Sequence, residues 1–261
     1  MQDSWHSVDP YEYFMGRWSR LVAQSFLDWL SPAHGLRWLD VGCGSGALSA
    51  AISSRCSVAE LSAIDQSFEF VQGVRQRLGD GVYCIVGDAT ALPIRDSSAD
   101  QTVSGLVLNF IPEPTKALAE MKRVTATSGV VAAYVWDYTR KMDFLNKFWD
   151  TVVKLDPSAS ALHERYRFPD STAQAMTAQF EEAGFVNIET SPLDVVTRFR
   201  DFDDYWRPFL GGQGPAPTYV MSLEEPERQK LREAIFEILA FQGDGSIVMD
   251  ARAWAVKGTC P

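Results

Sequence analysis

Asp40, Asp65 and Asp88 are the residues from which chemistry can be read. Each follows a short apolar run: Leu36 to Leu39, Val58 to Ile64, and Val82 to Val86 with one glycine between. Just after the first acid comes Gly42-Cys43-Gly44-Ser45-Gly46, and an apolar helix-like segment, Ala47 to Ser54, follows it. Glycine lacks a Cβ, so such a turn can take positive φ and let a ligand lie directly against the main chain. A strand, a glycine turn and a helix start in that order make a seat for a nucleotide-like cofactor.

The sign of the charge narrows the choice. A dinucleotide turn reads G-x-G-x-x-G and rests a pyrophosphate on a helix N-terminus. Here the third glycine comes one position early and Ala47 fills the expected place. Asp40 would repel a pyrophosphate, but it would attract the cationic amino-acid end of S-adenosylmethionine (SAM). Asp65 follows Gly46 by 65 − 46 = 19 residues, close to the roughly 20 at which an acid accepts from ribose hydroxyls. It can equally cap a helix starting near Ser67.

The run Asp40-Val41-Gly42-Cys43-Gly44-Ser45-Gly46 resembles motif I of the class I SAM-dependent methyltransferases, particularly the group related to the ubiquinone and menaquinone biosynthesis methyltransferases, with further matches through about Tyr134. The resemblance implies an α/β, Rossmann-like sheet of seven strands in the order 3-2-1-4-5-7-6. Strand seven is antiparallel, helices cover both faces, and a helical cap is added. It implies that Asp88 accepts from the adenine amino group while the Ala89 amide meets a ring nitrogen, and that carbonyls near Leu106 face the methionine amine. It also implies that Arg17, on a lid helix, pairs with the SAM carboxylate. The cofactor-binding set read from the sequence is therefore Arg17, Asp40, Gly42, Cys43, Gly44, Asp65, Gln66, Asp88, Ala89 and Leu106. Ile94 and Ala99 depart from the family's P-F-x-x-x-x-F-D pattern, at positions that serve packing.

These residues need elements to hold them. Asp9-Pro10 opens a helix, and Phe14, Trp18, Leu21, Val22, Ser25 and Trp29 recur at helical spacing up to about residue 30. Further helices are expected over Phe68 to Leu78, Glu113 to Val124, Pro169 to Ala183, Asp201 to Leu210 and Leu223 to Leu239. Strands are expected over Gln101 to Leu108, Val130 to Trp136, Val186 to Phe199 and Gly245 to Lys257. Gly211 to Pro217 reads as irregular, either a flap or a connector. The division expected is one domain over 1–261, with a lid helix at about 9–30, a cofactor core at about 36–136 and acceptor-side elements at about 137–257. Trp136, Phe148, Trp149, Tyr166, Trp206 and Phe209 are candidates for lining an acceptor chamber, although aromatics more often pack a core.

Bulk composition excludes other classes. The chain has 261 residues, 46% of them hydrophobic, and a formal net charge of −10, with no basic run that could follow a nucleic-acid backbone. Its four cysteines lack metal-ligand or disulfide-framework spacing, and neither a signal peptide nor an apolar run of membrane-spanning length is visible. The expectation is a cytoplasmic enzyme without a metal, acting on a small-molecule methyl acceptor, of unassigned oligomeric state.

A sulfonium is already a good leaving group, so no universal catalytic residue is required, and positioning supplies much of the acceleration. An oxygen or carbon acceptor would gain from a general base, for which His163 is the weak candidate. Asn109 either touches substrate or caps the following helix. The alternatives are a non-catalytic SAM-binding module and, less favoured, an NAD-dependent oxidoreductase.

Overall fold

In the computed structural model, residues 12–211 and 214–261 are described, with the side chains of Glu12 and Tyr13 left out of that description. The helix opening expected at Asp9 and Pro10 lies outside the described residues. Within them, Glu12–Gly16 is a π-helical turn leading into α1 (Arg17–Leu30), whose Trp18, Val22, Phe26 and Leu30 are buried at helical spacing.

Strand β1 (Leu36–Val41) has its last four residues fully buried. It is followed by α2 (Ala47–Arg55), β2 (Val58–Asp65), α3 (Phe68–Leu78) and β3 (Tyr83–Val86), a strand of only four residues that pairs with β2. Then come β4 (Ala99–Gly105), α4 (Pro114–Val124) and β5 (Thr125–Trp136). Further along are β6 (Val186–Phe199) and β7 (Ile247–Thr259). The seven strands are ordered β3-β2-β1-β4-β5-β7-β6. Pairing is parallel from β3 through β5 and antiparallel between β5 and β7, with Tyr134 opposite Ala255. The order reverses between β1 and β4, the place where an open α/β sheet leaves a crevice at its carboxyl ends.

Several strand limits differ from the sequence reading, two of them by three residues or more. β4 stops at Gly105 because Leu106 turns to φ +63, and Leu108–Phe110 then forms a 3-10 turn. β5 starts at Thr125, five residues early. Thr125 Oγ1 donates to Met121 O at 2.6 Å, tying the end of α4 to the strand, and the register with β4 shifts between Ala99 and Gln101 to take in the extra residues.

Contacts divide the chain into two compact units. The first holds Trp18–Trp136, Asp170–Leu193 and Ala253–Pro261. Its core joins Leu39, Val41 and Ile64 of the sheet to Leu118 and Met121 of α4 and to Phe180 of α7 (Ala173–Glu182). Full burial of such side chains contributes about 1.5–3 kcal/mol each. No helix links β3 to β4; Arg123 of α4 holds that connection instead. Its guanidinium donates to the carbonyls of Leu92 and Ile94 and pairs with Glu120 and Asp96, while Leu92 N–H donates to Glu120.

The second unit holds Asp137–Pro169 and Asp194–Arg252 with the described residues up to Arg17. Its core is aromatic. Phe148 of α5 (Asp143–Leu155) stacks on Phe209 with ring centroids 4.4 Å apart, Phe14 meets Phe209 edge-on, and the Tyr205 hydroxyl donates to Phe144 O at 2.7 Å. Further helices here are α6 (Glu164–Arg167), α8 (Phe202–Trp206), α9 (Pro215–Ser222) and α10 (Glu225–Ile238). α9 corrects the expectation of irregular chain from Gly211 to Pro217. Pro215 and Pro217 lie in its first turn, where a helix needs no N–H donor, and Gly214 enters at φ +85.

Candidate cofactor site

The three glycines of the turn do different things. Gly42 and Gly46 have φ of +73 and +84, and an added Cβ would stand 2.5 Å from Val107 Cγ1 at the first and 2.9 Å from Val74 Cγ2 at the second. Both are demanded by packing. Gly44, at φ +49, has nothing within 4 Å of the same position, so the main chain there borders open space. The N–H groups of Gly42 and Cys43 both donate to Ile64 O, at 2.8 and 2.9 Å, which fastens the turn to the end of β2.

Asp65, the last residue of β2, completes that fastening. Its Oδ2 accepts Gly44 N–H and its Oδ1 accepts Ser67 N–H, each at 2.9 Å. Burial raises its pKa, and these amide donors oppose the rise. One oxygen fastens the glycine turn and the other orders the start of α3.

Asp40 is fully buried. Ser49 Oγ of α2 donates to its Oδ2 at 2.6 Å, whereas its Oδ1 is enclosed without a hydrogen-bond partner. Burial pushes this carboxyl up to about 7; the Ser49 bond works against the rise and the charge of Asp65 adds to it. A buried carboxylate oxygen lacking a donor is what a cationic group would satisfy.

Asp88 stands two residues beyond β3 and is exposed. Thr90 donates to its Oδ1 from both N–H and Oγ1 at 2.8 Å, holding the carboxyl below the usual range and fixing its rotamer. Ala89 beside it is half-buried, and Gln66, after Asp65, is exposed. Cys43 is buried, and burial with Asp40 and Asp65 nearby pushes its thiol well up, so the residue contributes main chain rather than a thiolate.

Leu106 sits at φ +63, a conformation that costs a non-glycine residue of order 1–2 kcal/mol. It is held there by its N–H, which donates to Tyr134 O at 2.8 Å. Strain of this kind gathers where backbone must face a ligand. The structure thus brings Asp40, Gly42, Cys43, Gly44, Asp65 and Leu106 to the ends of β1, β2 and β4, with Asp88 and Ala89 after the neighbouring β3.

Arg17 is engaged with an acid. It belongs to the second unit, where its guanidinium donates to Asp204 Oδ2 at 3.0 Å and Asp204 O at 3.3 Å and lies 4.7 Å from the centre of the Phe199 ring. His163 is 2% exposed, and its Nδ1 accepts Arg165 N–H at 3.2 Å, capping α6. That bond leaves the proton of the neutral ring on Nε2, and burial pushes the pKa down to about 4. A ring in this state has no free lone pair to serve as a base. Of the aromatics considered for a chamber, only Tyr166 is exposed; Trp136, Phe148, Trp149, Trp206 and Phe209 are core.

Sequence reading missed Ser49, Val107 and the carbonyl of Tyr134. Nothing in their spacing marks them, since each acts through a partner brought close by the sheet.

A sheet ordered 3-2-1-4-5-7-6 is that of the Rossmann-like fold of methyltransferases, and part of the chain matches a domain of that kind. Residues 39–133 match the family model described as a methyltransferase domain. The malonyl-[acyl-carrier protein] O-methyltransferase of Halorhodospira halophila is 28% identical over 251 residues, 92% of this chain and 82% of that protein. The demethylmenaquinone methyltransferase of Renibacterium salmoninarum is 38% identical over 120 residues, 45% of this chain and 48% of that protein. Phosphoethanolamine N-methyltransferase 2 of Haemonchus contortus, solved with S-adenosylhomocysteine (SAH), shares the fold at a TM-score of 0.59 and 15% identity; the match covers 97% of this chain and 56% of that one.

The residues present fit SAM. Open space beside Gly44, an unpartnered buried oxygen on Asp40 and carboxylates at the next two strand ends are what an adenosyl sulfonium with a free ammonium group requires. Among the described residues no helix is long and apolar enough to cross a membrane.

Proposed function

We propose that the chain methylates a small metabolite at oxygen or carbon, with the cofactor held by the side chains of Asp40, Asp65 and Asp88 and by the main chain at Gly42, Cys43, Gly44, Gln66, Ala89 and Leu106. When bound, SAM supplies an electrophilic methyl group that is displaced in line, leaving SAH. Asp40 balances the ammonium group, Asp65 accepts from the ribose while fixing Gly44, and Asp88 accepts from the adenine amine. The observation that carries this reading is the bond from Gly44 N–H to Asp65, which couples the turn beside the open space to the acid at the next strand end.

A small acceptor is supported by the acidic chain and by the relative named for demethylmenaquinone, while the relative named for malonyl-[acyl-carrier protein] points to a small group on a carrier. His163 is set aside as base on the geometry given above. Four free cysteines support a reducing, cytoplasmic setting.

Calorimetric titration with SAM, SAH and NAD tests the cofactor. The expected outcome is binding of the first two and no heat with NAD. Transfer of radiolabelled methyl from SAM to a hydroxylated aromatic and to malonyl-N-acetylcysteamine then tests the reaction. Binding without transfer to any acceptor in a metabolite extract would make the chain a SAM-binding module instead.

A further inference from the structure

Asn109 carries an amide with nothing to hold. It lies in the 3-10 turn Leu108–Phe110, three residues past the strained Leu106 at the carboxyl end of β4 and two past Val107, the side chain that covers Gly42. Both Nδ2 and Oδ1 are enclosed, and neither has a hydrogen-bond partner.

Local structure gives the side chain no work. The turn is closed by main chain alone, with Phe110 N–H donating to Val107 O and Ile111 N–H to Leu108 O. α4 begins at Pro114 after Glu113, so Asn109 does not cap it. An apolar side chain of the same shape would suit the free protein better, since an enclosed polar group without a partner is unfavourable. Groups that cost stability and serve no packing need are retained where a ligand completes them.

We propose that Asn109 holds the methyl acceptor, and that the acceptor presents to it a hydroxyl beside a second oxygen. This rests on the cofactor reading above, which places the reaction at the ends of β1 and β4. The amide offers one donor side and one acceptor side on a single edge, and its complement is a group with an acceptor next to a donor. Adjacent hydroxyls on an aromatic ring provide this, as does an enol beside a carbonyl. A carboxylate does not: both of its oxygens are acceptors, and the second would face Oδ1.

The test compares the full chain with Asn109→Leu and Asn109→Asp. Three readouts are needed: the melting midpoint without ligand, the SAH dissociation constant, and methyl transfer to 3,4-dihydroxybenzaldehyde and to malonyl-N-acetylcysteamine. Asn109→Leu is expected to melt at the same temperature as the wild type or a few degrees higher, and to bind SAH within twofold of it. Its kcat/KM for the dihydroxy probe is expected to fall at least 100-fold, with KM for SAM unchanged. Asn109→Asp, which accepts but does not donate, is expected to fall about tenfold.

A midpoint lowered by several degrees in Asn109→Leu would overturn the proposal by showing a structural amide. SAH binding lost at an unchanged midpoint would overturn it in favour of a cofactor contact. Wild-type methylation of the malonyl probe, or of neither probe, would overturn the acceptor class. Failure of the wild type to bind SAH would instead strike the cofactor reading itself, a result that the other outcomes do not share.

Discussion

Gly44 and Asp65 are joined by a 2.9 Å hydrogen bond from main-chain N–H to Oδ2, across the gap between the glycine turn and the end of β2. The same carboxylate takes Ser67 N–H on its other oxygen, so one side chain sets both the turn and the first residues of α3. The acid is therefore part of the scaffold before any ligand arrives. Its shape and its chemistry cannot be altered separately.

Asp65→Asn is expected to show this double duty. An amide keeps one acceptor and turns an NH2 toward a main-chain N–H, leaving one buried donor unpaired at a cost of about 1–3 kcal/mol. Denaturant titration should show that loss. Calorimetry should show SAM and SAH binding weakened together, by at least tenfold, because the group lost lies near the shared adenosyl portion.

Gly42→Ala and Gly44→Ala should separate packing from binding. The first places a methyl against Val107 and is expected to destabilise by roughly 2–4 kcal/mol. The second meets no protein atom and is expected to cost only the positive-φ strain, about 1–2 kcal/mol. Its methyl enters the open space, so SAM affinity should fall more than tenfold while the fold remains intact by circular dichroism.

Asp40 makes cofactor binding depend on pH. Its carboxyl is raised to about 7 in the fold, above the ordinary value of about 3.9, so between these values the folded chain keeps a proton that the unfolded chain has lost. Without cofactor, this contribution is present in full below about pH 4 and is lost as pH rises through 7. Asp40→Asn should therefore be more stable than wild type at pH 8, by on the order of 4 kcal/mol, with about a third of that difference at pH 5. The ammonium group of SAM favours the ionised acid. Binding near pH 6.5 should release a proton, seen as heats that vary with the buffer's ionisation enthalpy, and affinity should drop as the pH is lowered below 7.

Arg17→Ala is expected to cost stability without touching the cofactor. The guanidinium is about one quarter exposed and Asp204 one tenth; Asp204 keeps Arg200 N–H at 3.0 Å and the Arg200 guanidinium at 3.8 Å, so the expected loss is about 1 kcal/mol. SAM titration should give an unchanged dissociation constant. Asp204→Asn should destabilise similarly, and the double variant by less than the sum of the two.

The turn and the three acids were legible because each is local: an apolar run, then an acid or glycine, at a spacing set by one strand-helix unit; the strand order came from the family resemblance. The ion pair of Arg17 was not legible, for the opposite reason. Its partner Asp204 lies 187 residues away, and no pattern in the sequence announces a pair so distant. His163 looked available as a base because its type suggests titration, whereas its burial and the Arg165 amide decide its state. Pro215 and Pro217 were taken as helix breakers, although in a first turn they are helix starters. The strand end at Leu106 was hidden because leucine gives no sign of adopting a left-handed conformation.

The four-residue β3, bonded along one side only to β2, makes one margin of the sheet thin. Its amides from Tyr83 to Val86 should exchange with deuterated solvent through small local openings rather than global unfolding, ahead of those in β1 and β4. Since Asp65 and Asp88 flank that margin, adenosyl binding should slow the same exchange, so this short edge ladder doubles as a reporter of occupancy.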